Sequence, residues 1–539
     1  MNRISLVYSL GLLAFVCAAP GVEPIVFEDV TAKSGLASHL EKKAGHKPWR
    51  YGHGAGWGDV NGDGRPDLYV GAFAARDYFN GPDAPIPNML FLNGPEGFTI
   101  DDNPPLQMLD RNARCAGVTF VDLDNDDDLD LVVANHVSSK NHLGSRLFEN
   151  EGDGKFRDVT PKEGPWPNQM GTRNISAIDF NGDGLLDLVV ADGTYGRQAK
   201  TEARLIVLKN EGTFRFTNYS ARLGLDEAGT LGLGLAIGDV NQDGGPDIFV
   251  AGSNRLFVSD GQGQFQEAHR GRFSVPAADV EEGVHCGAAF ADLNGDDLLD
   301  LVTTEHGAPT QIHMFQNRGV RDGLPDLIEV SETTGAGAVF PKGTRERPIK
   351  TNHVALRDMD NDGKPDILLA MIYQDDKQGV QPVVLRNLSK RDGGLRFERP
   401  PYDRLIGVYT PAPVADYDRD GRLDVFLPSW GETLPNYLFR NVTRGGNWLT
   451  VRVRGGKELN ALGLGAIVRL YEPGHLGDPS RQLGRHDIAI GTGYASTEEA
   501  LAHFGLGAAQ RCDVQVSWSG KQVQRLDAAA NQLLEIEVK

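Results

Sequence analysis

A nine-residue acidic pattern recurs seven times at a spacing close to sixty residues, and this periodicity constrains the fold more than any other property of the chain. The first copy is Asp59-Val-Asn61-Gly-Asp63-Gly-Arg65-Pro-Asp67, and its leading aspartate recurs after 63, 57, 60, 53, 66 and 58 residues. Oxygen side chains stand at positions 1, 3, 5 and 9. In chain order after the first copy these are Asp122, Asp124, Asp126 and Asp130; Asp179, Asn181, Asp183 and Asp187; and Asp239, Asn241, Asp243 and Asp247. The last three are Asp292, Asn294, Asp296 and Asp300; Asp358, Asp360, Asp362 and Asp366; and Asp416, Asp418, Asp420 and Asp424. Position 7, occupied by Arg65, Asp128, Leu185, Gly245, Leu298, Lys364 and Arg422, offers a backbone carbonyl. Such a loop presents the hard, oxygen-only environment that calcium takes, so up to seven Ca2+ ions are expected, one per loop.

Single copies of this pattern are ordinary Asx turns, because Asp, Asn and Gly favour turns without a metal. Across seven copies, 24 of the 28 side chains at positions 1, 3, 5 and 9 are acidic, a crowding that is repulsive without a cation. An EF-hand is excluded, since position 12 of the first loop is Val70 rather than Glu and no helix flanks it. Asp127 and Asp297 replace the usual position-6 Gly, where a positive φ is wanted, so these two loops are expected to bind more weakly.

The loops are flanked by strand-length apolar runs, such as Val118-Thr-Phe120-Val before and Leu131-Val-Val133-Ala after the second copy. Each repeat then continues with a strand ending in Asn and a Gly-rich turn, as in Leu147-Phe-Glu-Asn150-Glu-Gly-Asp-Gly154-Lys-Phe156. Four strands per unit and seven units predict an all-β chain whose residues 22–445 form a seven-bladed β-propeller. The last repeat has no fourth strand after Asn441, whereas Val26-Phe27-Glu-Asp-Val30-Thr31 matches Phe156-Arg-Asp-Val-Thr160. The N-terminal segment is therefore expected to close the ring and hide its edges. Deleting residues 22–34 is expected to do more damage than deleting the final ninety, which alternate as at Leu449-Thr-Val451-Arg-Val453 and predict a small antiparallel β-sandwich over 446–539.

The net charge of −20 argues against a nucleic-acid partner, and seven divalent ions would leave about −6. Met1-Asn-Arg3 followed by the apolar run Ile4 to Ala19 reads as a secretory signal peptide over 1–21, too short to span a membrane. No transmembrane segment follows, so the mature chain is expected to be secreted, extracellular or periplasmic. Cys115, Cys286 and Cys512 are an odd, scattered set without CxxC or zinc spacing.

The strand, D-x-[DN]-x-D-G-x-x-D, strand unit resembles the FG-GAP or VCBS repeat of integrin α-chain propellers. Residues 447–539 resemble the ASPIC/UnbV domain, through Asn447-Trp448-Leu-Thr-Val, Gly463-Leu-Gly465-Ala, His503-Phe504-Gly-Leu-Gly507 and Val514-Gln-Val-Ser-Trp518. With the Phe-x-Asp-Val-Thr segments, the whole is similar to the cartilage acidic protein family, departing at Asn460-Ala-Leu-Gly and the short turn from Gly507 to Cys512.

The resemblance implies calcium loops on one face and a ligand face at the other. Residues ahead of the loops, His53, Arg114, Arg173, His285, Asn352 and His353, and connector residues His136, Asp192, Tyr195, Glu305, His306, Tyr373 and Trp430, would form a polar mouth there. No nucleophile elbow, HExxH or phosphate loop is present. The expected function is a secreted, calcium-binding, non-catalytic protein using the propeller as a platform for an extracellular protein or glycan. The alternative is a carbohydrate-active enzyme of the polysaccharide lyase kind, with an Arg or His acting on a uronate at the face opposite the loops.

Overall fold

The computed structural model describes residues 24–37, 52–72, 88–101, 106, 113–137, 143–193, 203–268, 284–306, 312–336, 351–375, 379–400, 404–408, 410–429, 435–456 and 458–539. Residues 1–21, read from the sequence as a signal peptide, lie outside them. Among the described residues the repeats fold as seven sheets, each built on four antiparallel strands; Ser496–Thr497 joins the blade 1 sheet as a fifth, parallel strand, and Arg404–Val408 pairs with the second strand of blade 6. Blade 2 is typical: Cys115–Val121, Asp130–Asn135, Arg146–Asn150 and Phe156–Asp158 pair in sequence order. Its first two strands are buried along their whole length, and its last reads buried, exposed, exposed. The acidic loop is the turn between the first and second strand, as the alternation predicts.

Blade 7 is completed from the other end of the chain. Phe27–Asp29 pairs antiparallel with Tyr437–Asn441, in the register Phe27↔Asn441. Val30 N–H donates to Leu438 O (2.9 Å) and Val442 N–H to Val26 O (2.9 Å), extending the ladder beyond both strand ends. The matched Val26–Thr31 segment thus supplies the strand missing after Asn441.

A recurrent asparagine staples six of the seven blades to the one before it. At the end of the third strand, its backbone N–H donates to the position-9 aspartate, and its side-chain Nδ2 donates to a loop carbonyl of the preceding blade. Asn150 reaches Val60 O (2.9 Å), Asn210 reaches Leu123 O (2.7 Å), and Asn317 reaches Val240 O (3.1 Å). Asn387 and Asn441 do the same to Leu293 O and Met359 O. Asn93 reaches Tyr417 O of blade 7 (2.8 Å), a contact that spans the joint of the ring. Blade 4 has Ser259 in this place.

The final domain has two sheets. Gln482–Asp487, Ile467–Tyr471, Arg511–Trp518 and Lys521–Ala529 form one, and Ala502–Gly507, Asn447–Gly455 and Leu533–Val538 the other. The sandwich is not wholly antiparallel as expected: Asn447–Gly455 runs parallel to Leu533–Val538, with Val451↔Leu534 and Val453↔Ile536 in register. A parallel pair needs a long crossover, and the whole four-stranded sheet lies between these strands in sequence. Nor is the domain an appendage. One buried apolar cluster runs from Val132 and Leu188 in blades 2 and 3 to Leu449, Val468 and Trp518 in the sandwich.

Candidate metal centres and the occupied channel

The acidic loops share one internal hydrogen-bond plan. The position-1 carboxylate turns back on its own loop: Asp59 Oδ1 accepts Asp63 N–H (3.0 Å) and Asp59 Oδ2 accepts Gly64 N–H (2.9 Å). Position 5 accepts the N–H of position 7, as in Leu185 to Asp183 Oδ1 (3.0 Å). The position-9 aspartate is almost fully buried and joins loop to blade: Asp130 Oδ2 accepts Leu123 N–H (3.1 Å) and Asp130 Oδ1 accepts Asn150 N–H (3.0 Å). Asn at position 3 donates to position 5, at 2.8 Å from Asn181 to Asp183 and 2.9 Å from Asn294 to Asp296.

This plan leaves oxygens over. Asp124 Oδ1, Asn294 Oδ1 and Asp360 Oδ1, all at position 3, and Asp187 Oδ2 at position 9 are buried without a hydrogen-bond partner. In three loops, positions 1, 3 and 9 bring carboxylate oxygens within 4.8 Å of one another: Asp122, Asp124 and Asp130; Asp358, Asp360 and Asp366; Asp416, Asp418 and Asp424. Burial, with the neighbouring carboxylates as a second cause, pushes Asp358 up to about 8 and Asp122 and Asp416 up to about 7. Burial likewise drives Asp130 and Asp187 to about 8. Buried oxygen donors lacking any proton donor, and crowded with like charge, fit a hard cation. The donor set is oxygen throughout, which suits calcium better than metals preferring nitrogen or sulfur.

Several loops also carry a basic side chain. Arg440 Nε lies 2.7 Å from Asp418 Oδ2 and its Nη2 2.9 Å from Asp420 Oδ2, and Arg422 also pairs with Asp420. Lys209 holds Asp183 at 3.0 Å, Arg386 pairs with Asp360, and Arg65 pairs with Asp63.

The final domain lies on this same face. Gly505 N–H donates to Asp358 Oδ2 (3.1 Å), and Asp239 N–H donates to Asp487 Oδ2 (3.1 Å). Arg419 makes a forked pair with Glu499 at 2.8 and 3.0 Å. The two irregular position-6 residues take the positive φ of their place, +73° at Asp127 and +67° at Asp297. Both side chains face the sandwich. Asp297 Oδ1 accepts Arg469 Nε (2.8 Å) and Gln482 Nε2 (2.9 Å), and Asp127 Oδ1 accepts Arg454 Nη1 (3.0 Å). A glycine could not make these contacts, which accounts for the departure from the repeat.

From this docked position the segment 488–498 enters the centre of the ring. Gly493 N–H is shared between Leu235 O (2.9 Å) and Ala288 O (3.0 Å) of blades 4 and 5. Asn174 Nδ2 of blade 3 donates to Gly491 O (2.7 Å), and Ser496–Thr497 pairs parallel with the first strand of blade 1. Arg357 of blade 6 pairs with Glu498 at 2.6 Å, and Val414 N–H of blade 7 donates to Glu498 Oε1 (3.2 Å). Glycines on the first strands make room: a Cβ at Gly56 would stand 2.6 Å from Thr497 Cγ2, and one at Gly234 2.1 Å from Gly493 O.

The ligand-face candidates therefore form three groups rather than one open mouth. His53 and His353 are held by the inserted segment, through Tyr494 Oη to His53 Nε2 (3.2 Å) and Tyr494 N–H to His353 Nδ1 (3.1 Å). Burial lowers His353 to about 4, so it is a neutral acceptor at pH 7. Arg114, His136 and Arg173 are buried together, and after burial itself the two guanidinium charges help hold His136 well below its ordinary range. His285 and Glu305 belong with His313, a residue that sequence reasoning missed: the imidazoles stack at 4.6 Å, and His313 Nε2 lies 3.8 Å from Glu305 Oε2. His313 faces Thr303 across the sheet, one strand beyond the connectors considered. Asp192 and Asn352 are buried at strand ends. Tyr195 and Trp430 lie outside the described residues, as do the side chains of His306 and Tyr373.

Seven radial sheets with acidic turns, completed by a sandwich, define a repeat propeller. Residues 59–133, 122–190, 179–250, 239–303 and 358–427 match the FG-GAP-like repeat, and 456–539 match the ASPIC and UnbV domain. The chain belongs to the family of FG-GAP-like repeat proteins that carry an ASPIC and UnbV domain. It is 26% identical to human cartilage acidic protein 1 over 521 residues, covering 91% of this chain and 72% of the relative. The Mus musculus and Xenopus tropicalis proteins of the same name are also 26% identical, with 91% and 74% covered. Among solved structures, the exotype rhamnogalacturonan lyase YesX is similar at a TM-score of 0.40 and 15% identity, covering 73% of this chain and 72% of that one. The Bacillus licheniformis rhamnogalacturonan lyase PL11 matches at a TM-score of 0.40 and 13% identity, over 77% and 74%. No helix among the described residues is long and apolar enough to cross a membrane.

Proposed function

We propose that this is a secreted, calcium-binding, non-catalytic extracellular protein whose propeller is a rigid platform for binding a protein or glycan. The observation that carries the calcium reading is the set of buried oxygens left without a proton donor at positions 3 and 9 of the loops. Positions 1, 3, 5 and 9 and the position-7 carbonyl would hold the ion, and the ion would neutralise carboxylates that burial otherwise keeps protonated. Extracellular placement is supported by the N-terminal apolar run and by the similarity to cartilage acidic protein 1. Elemental analysis of the purified mature chain should find several calcium ions per molecule, up to seven, and EDTA should lower the melting temperature by many degrees. An unchanged melting temperature in EDTA, together with no bound metal, overturns the proposal.

A further inference from the structure

We propose that His503 and Gly505 of the final domain position the cation ligands of the sixth acidic loop, residues 358–366, so that calcium binding there and seating of the final domain are one coupled equilibrium. The inference rests on the calcium reading above and names the site that the final domain controls. Among the described residues, this is the one loop whose position-1 carboxylate takes a proton donor from outside its own loop. Asp358 Oδ1 accepts Asp362 N–H (3.1 Å), and Asp358 Oδ2 accepts both Gly363 N–H (2.7 Å) and Gly505 N–H (3.1 Å). Gly505 approaches this closely because it lacks a side chain: a Cβ there would stand 2.2 Å from Asp358 Oδ2. Beside it, Asn361 Nδ2 donates to Gly421 O (2.9 Å), which leaves Asn361 Oδ1 to accept from His503 Nε2 (2.9 Å). The Thr450 hydroxyl lies 3.0 Å from His503 Nδ1 and donates to it, fixing the ring and its tautomer.

The loop gripped in this way is also the most enclosed of the converging sets. Asp358, Asp360 and Asp366 are all buried, whereas the position-3 residues of the other two sets, Asp124 and Asp418, are half-buried. Arg386 Nε holds Asp360 Oδ2 (2.7 Å) and leaves Asp360 Oδ1 buried without a partner. Lys364 pairs with Asp362 at 3.2 Å. Four carboxylates against one guanidinium and one ammonium leave two negative charges, which one divalent cation would balance. Hydrogen bonds that orient a ligating carboxylate contribute about 10–100-fold to metal affinity. Linkage makes the effect mutual: the factor that docking adds to cation affinity is the factor that the cation adds to docking. The seat of segment 488–498 depends on the same contact, because Arg357, the residue before Asp358, pairs with Glu498 at 2.6 Å.

Hydrogen exchange on the full mature chain, well below its melting temperature and read by mass spectrometry, tests the coupling. In saturating calcium, residues 488–498 should be protected. Asp360→Asn alters a side chain bonded to Arg386 rather than to the final domain, and should speed exchange of 488–498 at least about tenfold. Strand Asp67–Ala72 should exchange as before, and Asp63→Asn in the first loop should leave 488–498 protected. Reciprocally, Gly505→Ala should hold about one calcium ion fewer by elemental analysis, at a free calcium concentration just sufficient to fill the wild type. Unchanged protection of 488–498 in Asp360→Asn, faster exchange spread equally over Asp67–Ala72, or a full calcium complement in Gly505→Ala overturns the coupling. A wild type that binds no calcium overturns the calcium reading with it, whereas calcium bound without these effects overturns this inference alone.

Discussion

At the scale of single residues, the position-6 aspartates separate two roles that the repeat conceals. Asp297 receives two hydrogen bonds from the sandwich, one of them from a guanidinium, and both partners are largely buried. Asp127 makes one contact, to Arg454, and its side chain is 71% exposed. Charge-assisted bonds contribute about 1.5–3 kcal/mol, whereas exposed pairs contribute about 0–1. Asp297→Gly should therefore destabilise the protein by about 1–3 kcal/mol. Asp127→Gly should be neutral or slightly stabilising, since glycine relieves the positive φ. Urea unfolding of the two variants distinguishes them, and equal effects would show that the docking argument is wrong.

The loop carboxylates also set a pH dependence. Asp130, Asp187 and Asp358 stand near 8 in the fold, against about 3.9 in an unfolded chain. Each is raised, so without metal its stabilising contribution is complete below about pH 4 and is lost as pH climbs through 7 to 8. In EDTA the melting temperature should fall between pH 5.5 and 8.5. Calcium, which requires ionised carboxylates, should raise it most at the alkaline end. A metal-free protein that grows more stable toward pH 8.5 would contradict this reading.

At the scale of elements, the joint of the ring is the most exposed point of failure. Phe27 and Leu36 are buried, and the strand at Phe27–Asp29 covers the outer edge of blade 7. A chain beginning at Gly35 would present that edge unpaired and should self-associate, which sedimentation velocity would detect. A monomer with wild-type thermal stability would refute closure by this strand. The staple offers a finer probe. Asn150→Ala removes the donor to buried Val60 O and Leu129 O and should cost about 1–3 kcal/mol.

At the scale of the whole molecule, the inserted segment changes the expected result of removing residues 447–539. On alternation alone the final domain is a separable sandwich, less costly to lose than the N-terminal strand. In the structure it fills the ring: Gly493, Tyr494 and Ser496 bond to first strands, and the apolar cluster containing Leu449 and Trp518 continues into blades 2 and 3. Deleting it would expose that apolar surface and leave the polar channel walls without partners. The truncated chain should be insoluble or melt far below wild type, and a stable, soluble product would show that the propeller is self-sufficient.

What the amino-acid sequence determined by itself is whatever depends on local periodicity. The seven acidic turns, the strands on either side and the missing fourth strand after Asn441 are set by neighbours within about ten residues, where turn chemistry and alternation act directly. The convergence of positions 1, 3 and 9 was legible for the same reason, because a nine-residue turn carries its own oxygens. Only the tertiary structure decided where segment 488–498 lies, since Tyr494 meets His53 and His353 across 441 and 141 residues of chain. The glycines at 56 and 234 were its trace, but a strand glycine looks the same whether it marks a bulge or the approach of another backbone. Tertiary contact likewise turned His53 and His353 of the expected open mouth into partners of the inserted segment, and the irregular Asp297 into an anchor of the final domain. Long-range docking leaves no period for a sequence to reveal.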